Sequence, residues 1–210
     1  MDLQDVRKNY QKGVLDESEL EQNPFLQFEK WLSEAFAHNE PEPTAMTIAT
    51  VDENNQPHAR MVLLKEINAQ GLFFFTNYES HKAKQLFVNK HVALVFYWPS
   101  LERQVRIEGI AEKADDDTSN AYFQTRPLES RLSAWASPQS QMIDSRQFLE
   151  QQFNEYHKKF DDQVPKPPFW GGFQIHPTLF EFWQGRPNRL HDRIEYVKVQ
   201  DEWLIHRLAP

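Results

Sequence analysis

Cysteine is missing from this 210-residue chain. Disulfides, iron–sulfur clusters and thiolate zinc sites are therefore excluded, and a reducing compartment is the natural expectation. Glycine is scarce, with six residues, and neither a dinucleotide fingerprint nor a phosphate-cradling P-loop is present. The histidines come no closer in sequence than His81 and His91, which leaves no compact metal motif, and there is no nucleophile elbow. Positive charge is in deficit. The 23 Lys+Arg against 31 Asp+Glu give a net charge of -8, without the basic footprint of a nucleic-acid binder. The longest apolar run, "VALVFYW" at 92–98, is far short of the roughly 20 residues that span a bilayer. The opening "MDLQDVRKNYQKG" lacks the apolar centre of a secretory signal. The expectation is a soluble, cytoplasmic protein with no metal, nucleic-acid or membrane partner.

What is present reads as α+β. Residues 1–20 are polar and charged and are expected to form a mobile arm, with a single domain over 21–210. Asn23 followed by Pro24 marks a helix start. Phe25, Phe28, Trp31, Leu32, Ala35 and Phe36 follow at helical spacing. Five strand-like segments come next, "TAMTIATV", "HARMVLLKE", "LFFFTN", "VALVFYW" and "RQVRIEGIAEK", with a short helix over "SHKAKQLFVN". Residues 116–158 are helical, interrupted near "TRP" and "SPQS", and three strands close the chain at "FQIHPTLFEFW", "IEYVKV" and "EWLIHRL". Hairpin-linked strands with inserted helices predict a mostly antiparallel barrel with peripheral helices.

Against the acidic background, four segments concentrate cations. His81, Lys82 and Lys84 crowd a helix start that Ser80 can cap, where the dipole favours anions; a bound phosphate resolves that conflict, and a solvated basic turn is the bland alternative. "RMVLLK" carries Arg60 and Lys65 at its ends, which face opposite sides of a regular strand. Tyr122, Arg126 and Ser130 recur every four residues, a polar stripe if the helix survives Pro127. In "GRPNRLHDR", Arg189, His191 and Arg193 alternate and share one face if the segment is a strand. Each segment alone is also what an exposed, solvated surface contains.

As an ordered set, "RMVLLK", "FFTN" with "SHKAKQ", "LERQV", "YFQTRPLESRLSAW", "SPQS", "PPFWGGF", "FEFWQG", "RLHDR" and the terminal "RLAP" resemble the pyridoxine (pyridoxamine) 5'-phosphate oxidase family, from about Arg7 to Pro210. The resemblance implies a homodimer of FMN-binding split β-barrels with both flavin sites at the subunit interface. Such an enzyme oxidises pyridoxine or pyridoxamine 5'-phosphate to pyridoxal 5'-phosphate while oxygen becomes hydrogen peroxide. By position, it implies flavin contacts from Arg60, Met61, Val62, Leu63, Leu64, Lys65, Phe75, Thr76, His81, Lys82, Gln104, Gln139, Ser140, Trp183 and Arg193. It implies substrate-phosphate contacts from Lys65, Tyr122, Arg126 and Ser130, with Arg189 and His191 as the catalytic pair on the pyridine ring. Arg7 and Tyr10 fall where the family covers its site. Two departures stand out, His81 where arginine is common and Phe75 where tyrosine is common. A flavin reductase on the same barrel, or a non-catalytic carrier of pyridoxal phosphate or FMN, are the rival readings.

Overall fold

The computed structural model describes residues 1–210 apart from Val6, Arg7 and Asp161. Helix α1 (Pro24–Ala37) starts as expected: the Asn23 side chain accepts from the Phe25 N–H at 2.9 Å, and Pro24 occupies a position where a missing N–H costs nothing. Its apolar stripe plugs the barrel. Phe28 packs on Phe96 and Trp31 meets Phe182 edge-on.

Among the described residues, nine strands form one antiparallel sheet: β1 (Ala45–Val51), β2 (Pro57–Leu63), β3 (Glu66–Asn68), β4 (Gly71–Asn77), β5 (His91–Trp98), β6 (Arg103–Lys113), β7 (Trp170–Gln184), β8 (Asp192–Val199) and β9 (Glu202–Arg207). The order is β2-β1-β5-β6-β7-β4-β3, with β8 and β9 added beside β7. β7 explains the architecture. One side pairs with β6 over Phe173–Gln184. The other side pairs with β4 over Trp170–Ile175 and with β8 over Leu179–Gln184. The sheet therefore splits at the middle of β7. Pro177, which cannot donate to a ladder, lies there opposite Gly109, and the β6–β7 register shifts between Glu108 and Gly109. A Cβ on Gly109 would lie 2.4 Å from the His176 carbonyl oxygen, so only glycine fits the shift.

"HARMVLLKE" is not one strand. It breaks after Leu63. The Leu64 N–H bonds the Thr44 carbonyl and the Lys65 N–H bonds the Phe73 carbonyl, both at 2.9 Å, so the chain crosses from the β1 side to β4. The alternation that set Arg60 and Lys65 on opposite faces ends at that crossing.

Four further helices lie among the described residues: α2 (His81–Val88), α3 (Asp116–Thr125), α4 (Leu128–Ala136) and α5 (Arg146–Phe160). The last three build a small second core around Phe123, Leu132, Val164 and Trp170, with Tyr122 of α3 set against Phe75 of the sheet. No helix among the described residues is long and apolar enough to cross a membrane. Over 8–20 the chain lies on the barrel, with Leu15 buried and its N–H bonded to Asp192.

Candidate active site

A cleft of about 640 Å³ opens where the small helical core meets the sheet. β2 and the crossing after it supply Met61, Val62, Leu63 and Lys65. β4 supplies Phe75, Thr76 and Asn77, and α2 supplies Lys82. The opposite wall holds Tyr122, Arg126, Ser130, Gln139 and Trp170. Pro127 does break the helix: Arg126 is the extended C-cap of α3, and α4 begins one residue beyond the proline. Two helices meeting at that corner, rather than one continuous stripe, place Tyr122, Arg126 and Ser130 on a common wall.

Among the described residues, three cations, Lys65, Lys82 and Arg126, line this cleft, and no carboxylate does. In a protein of charge -8 that separation is the signature of an anion site. Arg126 is its clearest element. Its guanidinium lies 4.7 Å over the Trp170 ring and 5.5 Å from Phe123, and its Nη1 is buried without a hydrogen-bond partner. Burial lowers its pKa, yet a guanidinium remains charged. A buried, charged, unpaired donor is costly unless a ligand accepts from it.

Lys82 is the second element. Its Nζ donates to Thr76 Oγ1 at 3.0 Å, Gln139 Oε1 at 3.1 Å and Ser80 Oγ at 3.3 Å. Burial, and then the nearby charge of Arg60, bring its pKa down to about 8. Arg60 itself does not line the cleft. It is held behind Lys82 by Thr50 Oγ1 at 2.5 Å and Gln85 Oε1 at 3.2 Å, beneath α2. Leu64 is buried in the main core, while His81 and Ser140 are exposed at the margin. Phe75 stacks on Tyr122 with centroids 3.9 Å apart, making an aromatic floor that needs no hydroxyl at position 75.

The remaining expected residues gather elsewhere. A second depression of about 700 Å³ is lined by Lys8, Tyr10, Trp183, Arg186, Arg189 and His191, among others. "GRPNRLHDR" is not a continuous strand: Pro187–Arg189 form a tight 3₁₀ turn with Asn188 and Arg189 in the left-handed region, and β8 starts only at Asp192. Arg189, His191 and Arg193 therefore do not share one strand face. The turn holds Arg189 out into solvent. His191 packs 4.7 Å from Trp183 and 5.6 Å from Tyr10. Its Nδ1 accepts the Arg186 N–H at 3.0 Å, which leaves the proton on Nε2. Burial and the adjacent Arg189 lower its pKa against the opposing pull of Asp192.

Register completes this half. Gln104 on β6 opposes Trp183 on β7, which opposes Arg193 on β8. Three expected flavin contacts thus form one lateral row on a single face. Tyr10 is edge-on to Trp183 at 5.4 Å and is fixed from behind, where Glu102 accepts the Gln11 and Lys12 N–H groups at 2.7 and 3.0 Å. Arg7 lies outside the described residues. Reasoning from the sequence missed Asn77 and Trp170 as cleft walls, Thr50 and Gln85 as holders of Arg60, and Glu181 beside Arg193. Asn77, Gln85, Trp170 and Glu181 do lie inside "FFTN", "SHKAKQ", "PPFWGGF" and "FEFWQG", but membership of a motif does not reveal their place in the site, and Thr50 lies only in a strand-like segment.

Comparison with known proteins agrees with this geometry. Residues 32–160 match the family model described as pyridoxamine 5'-phosphate oxidase, and residues 170–210 match that of the pyridoxine 5'-phosphate oxidase C-terminal dimerisation region. A pyridoxine/pyridoxamine 5'-phosphate oxidase of Cupriavidus taiwanensis is 53% identical over 99% of both chains. Among solved structures, PhzG from Burkholderia lata, in complex with tetrahydrophenazine-1-carboxylic acid, superposes with a TM-score of 0.89 at 25% identity, covering 94% of this chain and 98% of that one. An FMN-binding protein from Nostoc punctiforme, related to pyridoxamine 5'-phosphate oxidase, shares the fold at a TM-score of 0.73 and 19% identity, covering 91% of this chain and 100% of that one. The split sheet, the carboxylate-free cationic cleft and these full-length matches agree: the chain belongs to the pyridoxamine 5'-phosphate oxidase family.

Proposed function

We propose that this protein is an FMN-dependent oxidase that converts pyridoxine 5'-phosphate or pyridoxamine 5'-phosphate to pyridoxal 5'-phosphate. The observation that carries the reading is the cleft that, among the described residues, has three cations, no carboxylate and an unpartnered Arg126 Nη1. The likeness to named oxidases over the whole chain sets the substrate class.

The residues suit two phosphates. Lys82, with Thr76 and Gln139, forms one anion-binding group next to the N-terminus of α2, and there it would hold the FMN phosphate. Lys65, Tyr122, Arg126 and Ser130 form the other and would hold the substrate phosphate. Bound FMN would supply the two-electron redox chemistry, accepting the electrons lost by the substrate carbon and reducing oxygen to hydrogen peroxide; the amine substrate would in addition take up water and release ammonia. The chain supplies binding, orientation and exclusion of water. Arg189 would cover the substrate ring. His191, neutral and protonated on Nε2, would donate a hydrogen bond from that atom rather than act as a base.

Arg189, His191 and Trp183, the centre of the Gln104–Trp183–Arg193 row, line a different depression from the cleft, and Gln104 and Arg193 flank Trp183 on the neighbouring strands. We place them in the site of a second copy, so the working unit is a homodimer with two shared sites. The match of residues 170–210 to a dimerisation region supports this. We further read residues 21–210 as one split-barrel domain, preceded by an arm that covers the site through Tyr10. The cysteine-free, FMN-using chain is assigned to the cytoplasm.

Anaerobic mixing of FMN-loaded protein with pyridoxine 5'-phosphate tests the reading. Bleaching of the flavin, then recovery in air with release of peroxide, is expected. Binding without bleaching would instead establish a carrier.

A further inference from the structure

Glu181 lies 3% exposed in the C-terminal half of β7, two residues before Trp183 and on the same face. A buried carboxylate is unfavourable unless its oxygens are satisfied. Both are, by arginines from the strands on either side. Glu181 Oε1 accepts from Arg193 Nε at 2.9 Å, and Oε2 accepts from Arg106 Nη1 at 2.7 Å. Arg106 is secured in turn by Glu108 at 2.8 Å. Arg193 has a second anchor, its Nη1 donating to the Ala209 carbonyl at 2.8 Å. Two edges of the planar guanidinium are thereby spent on the protein, and Nη2 makes no hydrogen bond among the described residues. The bond to Glu181 also raises the pKa of Arg193.

We propose that Glu181 is the positioning residue for Arg193: with Ala209 it fixes the guanidinium plane so that one nitrogen faces the flavin. This rests on the reading that Arg193 meets the flavin. Glu181 touches no ligand and acts only through its neighbour. The relay from Glu108 through Arg106 and Glu181 to Arg193 keeps the pair neutral overall, so the row presents a directed donor rather than a loose charge. Fixed geometry matters here because a charge-assisted hydrogen bond weakens steeply once it is misaligned.

A double-mutant cycle tests the idea, with FMN affinity and the reduction potential of bound FMN as readouts. Glu181→Gln keeps the shape and removes the charge. It is expected to weaken FMN binding by about tenfold and to shift the potential, in line with one charged hydrogen bond. In an Arg193→Met background the same change should alter FMN affinity by less than about twofold. If Glu181→Gln does not fold, Arg106→Met replaces it. That residue is partly exposed, holds the other carboxylate oxygen, and should show the same dependence on Arg193. Effects that simply multiply in the double variant overturn the proposal while leaving Arg193 at the flavin. Unchanged FMN affinity and potential in Arg193→Met alone overturn it by removing the reading beneath it.

Discussion

Lys82 Nζ donates to Gln139 Oε1 at 3.1 Å, joining α2 to the loop after α4 across 57 residues of sequence. The pair closes one end of the cleft around an ammonium whose pKa is about 8. Unfolded, that lysine titrates near 10.5. A lowered folded value means that burial costs stability below pH 8, and that the cost fades as pH rises to 10.5. After allowing for solvent screening, ligand-free Lys82→Met should be roughly 1–2 kcal/mol more stable than the parent at pH 7, with the gain gone near pH 10.5. Its FMN affinity should fall about 10- to 150-fold. Parental FMN affinity should also weaken from pH 7 to pH 9 as the ammonium deprotonates. Melting curves and flavin titrations at these pH values are the measurements. A less stable variant with normal FMN affinity would refute the assignment.

Arg126 carries the unpaired donor. Arg126→Met should raise KM for pyridoxine 5'-phosphate about 10- to 150-fold and leave FMN affinity within about twofold. The ligand-free protein should lose no stability, because an unsatisfied buried group has gone. Steady-state kinetics with a parallel melt decide the point.

Arg189 belongs to the other depression, and its effects should be the reverse in kind. Arg189→Met should stay yellow, with near-normal FMN affinity. Its kcat/KM should fall by about 10- to 150-fold or more. Normal turnover, or failure only through lost flavin, would strengthen the reductase reading.

Gly172 supports the aromatic floor by having no side chain. A Cβ there would lie 2.8 Å from Phe75 Cε1 and 3.1 Å from Ala114 Cβ. Gly172→Ala should cost about 1–3 kcal/mol through overpacking. It should also weaken FMN binding by tilting Phe75 off Tyr122. A melt and a titration on the one variant would show whether the two losses go together.

Most elements were legible because apolar periodicity survives wherever one face is buried. The α1 start at Asn23–Pro24, the hairpins and the break at Pro127 all follow from local chemistry. The misreadings share a cause. In "HARMVLLKE" and "GRPNRLHDR" the residues are strand-compatible, but the path is set by distant partners. The Thr44 and Phe73 carbonyls capture Leu64 and Lys65, and the Arg186 N–H reaches His191 across a left-handed turn. Glu181 was invisible for a similar reason. Its meaning lies in the register of β6 and β8 against β7, which no window of sequence contains.

β7 carries Trp170, a wall of the cleft, near one end and Trp183, a wall of the other depression, near the other. The contour between them is roughly 40 Å, so a single chain defective in one half has its other half intact and out of reach. At an FMN concentration too low to load Lys82→Met, two impaired proteins should then rescue each other. When Lys82→Met and Arg189→Met chains are unfolded together and reassembled in equal amounts, about half the dimers are hybrids. In each hybrid one site collects both lesions and the other collects none. The mixture should recover roughly a quarter of the parental activity, although neither parent alone has much to give.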